Sequence, residues 1–155
     1  MQRLFTTLVV AAGMLFAASA PPVGAGVLTK FSEARIIIEA HPGLRALAMN
    51  EENIKTQVRD WLRNHLAGLE VKGPVPPFIK VSVLVQEDGG VVYGYLGIQI
   101  VRQVTINDLD LTVMGGVWQT GGIVKSRVSD TKNFVMQSLE QLLGKFAEQW
   151  HRDNM

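Results

Sequence analysis

The side chains able to do chemistry are few, and their spacing is poor for it. The three histidines, His41, His65 and His151, stand before a proline and near two helix ends, with no pair at i, i+3 or i+4. No local metal-ligand set results. The better expectation for His65 and His151 is the last turn of a helix, where a cation opposes the dipole. Asp108-Leu109-Asp110 could offer two carboxylates to a hard cation. A calcium loop needs further ligands at fixed positions and a central glycine, which are missing, so a solvated turn is the expectation. Gly89-Gly90, Gly115-Gly116 and Gly121-Gly122 open no phosphate-binding loop, because none sits in the required pattern ahead of a helix. They read as turns and bulges, which need residues without a Cβ. There is no Gly-x-Ser-x-Gly elbow and no cysteine, hence no marked nucleophile. No catalytic, cofactor-binding or metal-binding residue is assigned.

The remaining candidates are aromatic. Tyr93 and Tyr95 lie two apart, and Gln99 and Gln103 continue the same period. On a strand these four share one face. With Leu96, Ile98 and Ile100 turned toward helices, that row faces outward as a candidate interaction face. Exposed tyrosines beside amides stack on sugar rings or anchor protein contacts. The competing explanation is ordinary cross-strand packing. Lys55, Arg59 and Arg63 form a short basic helix face, read as solvated surface.

The chain of 155 residues is 47% hydrophobic and 19% charged, with fifteen Lys and Arg against fourteen Asp and Glu. That balance gives no field for nucleic acid or an anionic membrane. The absence of cysteine excludes a disulfide scaffold and a lipoprotein. Arg3 precedes an uncharged apolar run, 4–18, followed by small residues and prolines, the order of a secretory signal peptide. Cleavage after Ala25 is preferred to cleavage after Ala20, which would place Pro21 beside the scissile bond. Retention as an anchor is the alternative, although the run is shorter than a spanning helix needs. Residues 1–25 are thus expected to be an address and 26–155 a single domain, periplasmic or secreted. Membrane contact is expected only through an uncleaved signal.

Elements follow from periodicity. Residues 34–40 suit a buried strand. Asn50 caps a helix bearing Ile54, Val58, Trp61, Leu62 and Leu66, closed by a left-handed Gly68. After a Pro/Gly connector, Ile79, Val81, Val83 and Val85 alternate with polar residues, and Asp88-Gly89-Gly90 turns the chain into a long strand, 91–105. Asn107-Asp108 turns it again into 111–119, with a bulge or a close neighbour expected at Gly115-Gly116. A further turn is expected at Thr120-Gly121-Gly122, with Ile123-Val124 after it as an extension of the sheet. Ser129 or Asp130 caps a final helix carrying Val135, Leu139, Leu142, Leu143, Phe146 and Trp150 on one face. The expected fold is α+β: a two-layer sandwich with a mainly antiparallel sheet of four or five strands and two helices on one face.

An early strand, a helix ending Trp-Leu-Arg-Asn-His-Leu-Ala-Gly-Leu-Glu-Val, the strand Pro-Phe-Ile-Lys-Val-Ser-Val-Leu-Val and the segment Val-Trp-Gln-Thr-Gly-Gly lead to a terminal helix ending Lys-Phe-Ala-Glu-Gln-Trp. This order resembles small uncharacterised bacterial periplasmic α/β proteins and, more remotely, the envelope domains typified by the TolB N-terminal domain. The resemblance implies an exported, non-catalytic envelope domain and carries over no functional residue. The expected function is that of a non-enzymatic envelope protein binding a protein partner, or itself, through an open sheet face or edge. The alternative is a small-ligand carrier or small hydrolase with a pocket between helices and sheet.

Overall fold

A computed structural model describes residues 26–73 and 76–154. The expected signal segment, 1–25, lies outside the described residues. Strand β1 (Glu33–Ala40) leads through a 3-10 turn, Pro42–Leu47, to helix α1 (Glu51–His65). There follow β2 (Glu70–Val71), β3 (Phe78–Asp88), β4 (Val91–Ile106), β5 (Leu111–Arg127) and helix α2 (Thr131–Asn154). The five strands form one mixed sheet in the order β2-β1-β3-β4-β5. β1 runs parallel to β2 and β3, whereas β3–β4 and the long β4–β5 pair are antiparallel. The fold is α+β, with both helices packed against the sheet.

Alternation decides which side the helices cover. On β3, Ile79, Val81, Val83 and Val85 are fully buried, and on β4 Leu96, Ile98 and Ile100 are buried beside them. Ile54, Val58 and Leu62 of α1 and Val135, Leu139, Leu142, Leu143 and Phe146 of α2 fill the same core. Phe146 touches Phe31 edge-on, with ring centres 6.1 Å apart, and Trp118 of β5 at 5.6 Å. Trp150 donates its indole N–H to the Phe31 carbonyl at 2.7 Å, so its one polar atom is satisfied in the core.

Three local expectations are corrected. Thr120-Gly121-Gly122 does not turn: it lies inside β5, paired with Ile98, Gly97 and Leu96. Neither glycine has a positive φ, and Gly121 serves close approach to a neighbour. Gly68 is left-handed, with φ +100°, but α1 has already ended. Its C-cap is Leu66, which has left the helical conformation (φ −122°, ψ 77°) and whose side chain is buried in the core. Ser129 and Asp130 sit within a 3-10 turn, Val128–Asp130, that feeds α2, and Thr131 donates its hydroxyl to the Arg127 carbonyl there. The two-residue β2 has no counterpart in the sequence reading, because two residues are too few to show a period. Asn50 caps α1 as expected, its Oδ1 accepting from the Asn53 amide at 2.8 Å. The bulge falls at Gly116–Trp118, where Ile100 pairs with Trp118 but Val101 with Gly116.

Asp153 ties the two ends of the described domain together. Its carboxylate accepts from the amides of Gly26 (3.2 Å) and Leu28 (2.8 Å) and from Gln149 Nε2 (2.9 Å). Burial pushes its pKa up, yet the Leu28, Gln149 and Gly26 donors outweigh this and hold it below the ordinary carboxylate value. A carboxylate with a depressed folded pKa stabilises above its unfolded pKa and loses that contribution as pH falls through the folded value. Asp153→Asn is therefore expected to cost roughly 1 kcal/mol at neutral pH, the low end for a charge-assisted bond in partial solvent. In urea titrations the difference from wild type should shrink below about pH 4.

Candidate functional site

The face of the sheet turned away from the helices has no covering layer among the described residues. Register aligns Leu84, Tyr95 and Ile123 side by side on β3, β4 and β5. They are 38%, 40% and 61% exposed. The adjacent row is Gln86, Tyr93 and Lys125, and Tyr93 is likewise exposed. The row on the other side is Ser82, Gly97 and Gly121, which leaves the surface without side chains at its two glycines.

Tyr95 uses that space. A Cβ on Gly97 would lie 2.4 Å from the Tyr95 hydroxyl oxygen and 2.6 Å from its ring. A Cβ on Gly121 would lie 2.3 Å from the same oxygen. The ring therefore lies over the two glycines, so Tyr95 packs on its own sheet and is exposed as well. Both explanations weighed from the sequence describe part of its environment. A ring held this way presents area to a partner with little rotamer entropy left to lose.

Gln99 lies over Gly116, where a Cβ would meet its amide nitrogen at 2.3 Å, and it belongs to the same face. Gln103 has the same parity but stands beyond the end of β3, ten residues from Tyr93 and roughly 33 Å along the strand. The structure brings Tyr93, Tyr95 and Gln99 onto one surface and leaves Gln103 apart from it.

The sequence reading missed Leu84 and Ile123. Leu84 was legible, since it falls in the polar half of the β3 alternation. Ile123 was hidden by the turn expected just before it, which removed its parity. A polar border closes the surface on the β1 side. Glu39 accepts from Ser82 Oγ at 2.7 Å and pairs with Lys80 Nζ at 3.0 Å. The Ser82 hydroxyl, then Lys80, hold its carboxyl below the ordinary value. An ion pair this exposed adds little stability; it orients the rim.

The helix–sheet interface is filled by apolar side chains, and no buried side-chain polar atom among the described residues lacks a partner. A hollow bounded by His41, Arg45, Glu51 and Glu52 opens at the surface, outside that interface. His41 there accepts the Gly43 amide proton at 3.1 Å, as the cap of a turn. His65 contacts the Trp61 carbonyl through Nδ1 at 2.8 Å and stacks on the Trp61 ring, with centres 4.0 Å apart. Among the described residues, no three His, Asp or Glu side chains are grouped to hold a metal ion, and no helix is long and apolar enough to cross a membrane. No family model matches the chain, and no curated protein sequence matches it either.

Proposed function

We propose that this chain is an exported, non-enzymatic interaction domain of the cell envelope that docks a partner protein on the uncovered face of its sheet. The carrying observation is the row Leu84, Tyr95 and Ile123, three large apolar side chains exposed side by side on adjacent strands, with Tyr93 next to them. Binding energy at protein interfaces concentrates in such clusters, with aromatic anchors ringed by polar groups that exclude water. Tyr95 is pre-positioned by its glycine platform, and Glu39, Lys80, Gln86 and Lys125 supply the rim. Export rests on the signal-like segment 1–25 and on the resemblance to periplasmic α/β proteins.

The test is recovery of a partner by the tagged full chain from its native cells, compared with the Tyr93→Ala/Tyr95→Ala variant. Losing an aromatic anchor weakens an interface by about 2 kcal/mol, roughly 30-fold, so partner recovery should collapse while the melting temperature stays within a few degrees. Undiminished recovery overturns the reading.

A further inference from the structure

The end of the sheet carries a second feature, independent of the open face. β3 pairs with β4 only as far as Phe78↔Val101, whereas β4 and β5 stay paired from Arg102↔Gly115 out to Ile106↔Leu111. Residues 102–115 thus project as a two-stranded arm, rooted at the bulge. Register fixes its faces. Val104↔Val113 and Ile106↔Leu111 lie on one side, continuing the core-facing side of the sheet. Gln103, Thr105 and Thr112 lie on the other with Met114, and the two threonine hydroxyls are 3.2 Å apart. Ile106, Leu111 and Val113 are exposed, so the apolar stripe continues where the helix layer no longer covers it. A two-stranded hairpin with such a bare face is marginal in water and gains from another layer.

The tip and the base of the arm are complementary. At the tip, Leu109 is 68% exposed between Asp108 and Asp110. At the base, a surface pocket of about 300 Å³ is lined by Lys30, Phe31, Pro76, Pro77, Arg102 and Gln103. No described carboxylate lies within ion-pair distance of Lys30 or Arg102. The void left by a deleted leucine side chain is on the order of 150 Å³, so the pocket has room for one. We propose that two copies of this chain pair arm to arm about a two-fold axis. Each stripe covers the other, and each Leu109 enters the pocket at the partner's arm base, with Asp108 and Asp110 facing Lys30 and Arg102. Because tip and base belong to one element, a single rotation makes both contacts, as a closed dimer requires. A lipid surface fits worse: the arm has no Lys or Arg between 103 and 114, and its tip carries two carboxylates that anionic headgroups repel.

The chain has no cysteine, so introduced ones report geometry cleanly. Full chains bearing Leu109→Cys and Arg102→Cys, mixed and oxidised, should form a mixed disulfide dimer, with little bonding in either variant alone. Wild-type chain should sediment as a concentration-dependent dimer. Leu109→Glu with Val113→Glu should weaken it at least tenfold at unchanged far-ultraviolet dichroism. Asp108→Lys with Asp110→Lys should also weaken it, and equimolar Lys30→Glu/Arg102→Glu chain should restore pairing. A wild-type monomer overturns the proposal, whether its arm is bare, bound to a different protein or covered by its own residues 1–25. So does a dimer indifferent to these changes, or tip-to-tip bonding of Leu109→Cys.

Discussion

Phe146→Ala is expected to lower the free energy of unfolding by about 3–5 kcal/mol, the range for deleting a fully buried aromatic ring. Phe146 has no exposed surface and is a joint between layers. Its ring meets Phe31, from the segment before β1, and Trp118 of the edge strand β5. Neither neighbour can follow the retreating side chain without leaving other contacts: Phe31 is held through its carbonyl by Trp150, and Trp118 by the β4 ladder. The cavity should therefore stay partly open, placing the cost at the upper end. No disulfide exists to limit the loss. Urea unfolding followed by tryptophan fluorescence measures it, with the exposed Glu148→Ala on the same helix as the control, expected within about 0.5 kcal/mol of wild type. A Phe146→Ala loss below about 1.5 kcal/mol would mean that this joint is not where the layers are fastened.

The same joint explains why much of the fold was readable. The six apolar residues expected on one face of the last helix, from Val135 to Trp150, are all buried. A stripe that continuous has only one way to be covered. The β3 alternation and the Gly89-Gly90 hairpin, with φ of +58° and +82°, were equally local decisions. What could not be read depended on distant partners. Glycine in a strand and glycine in a turn look alike until the residue occupying the vacated space is known, and for Gly97 and Gly121 that residue is Tyr95. Mistaking Gly121-Gly122 for a turn cut β5 short. It hid the alignment of Ile123 with Tyr95, whereas the strands and the Asn107-Asp108 turn that build the arm were already legible. Of the candidate face, the tyrosine pair was legible from its period of two, and its apolar neighbours on flanking strands were not.

Two glycines on β4 separate fold from function by the same substitution. Gly94→Ala would place its Cβ 2.0 Å from the Leu84 carbonyl oxygen and 2.7 Å from the Val85 Cα, both backbone atoms of β3. Side chains swing aside, but a paired strand cannot, so the hairpin must splay or shift. Overpacking of this kind costs typically 1–3 kcal/mol and sometimes more; against paired backbone, about 3 kcal/mol or above is expected. In Gly97→Ala the atoms nearest to the new Cβ all belong to the Tyr95 ring and hydroxyl, which can rotate toward solvent. Its cost should be near 1 kcal/mol, and Tyr95→Ala in the same chain should relieve most of it. Adding Tyr95→Ala to Gly94→Ala should relieve nothing, since Tyr95 is not among the atoms in the way. Urea titrations of the five variants, singles and doubles, give both double-mutant cycles. The Gly97→Ala chain, folded but with its tyrosine displaced, should bind a partner as poorly as Tyr95→Ala does. Full binding by that variant would mean that the ring's pose over the glycines is packing alone, and that recognition has to be sought on Leu84 and Ile123 without it.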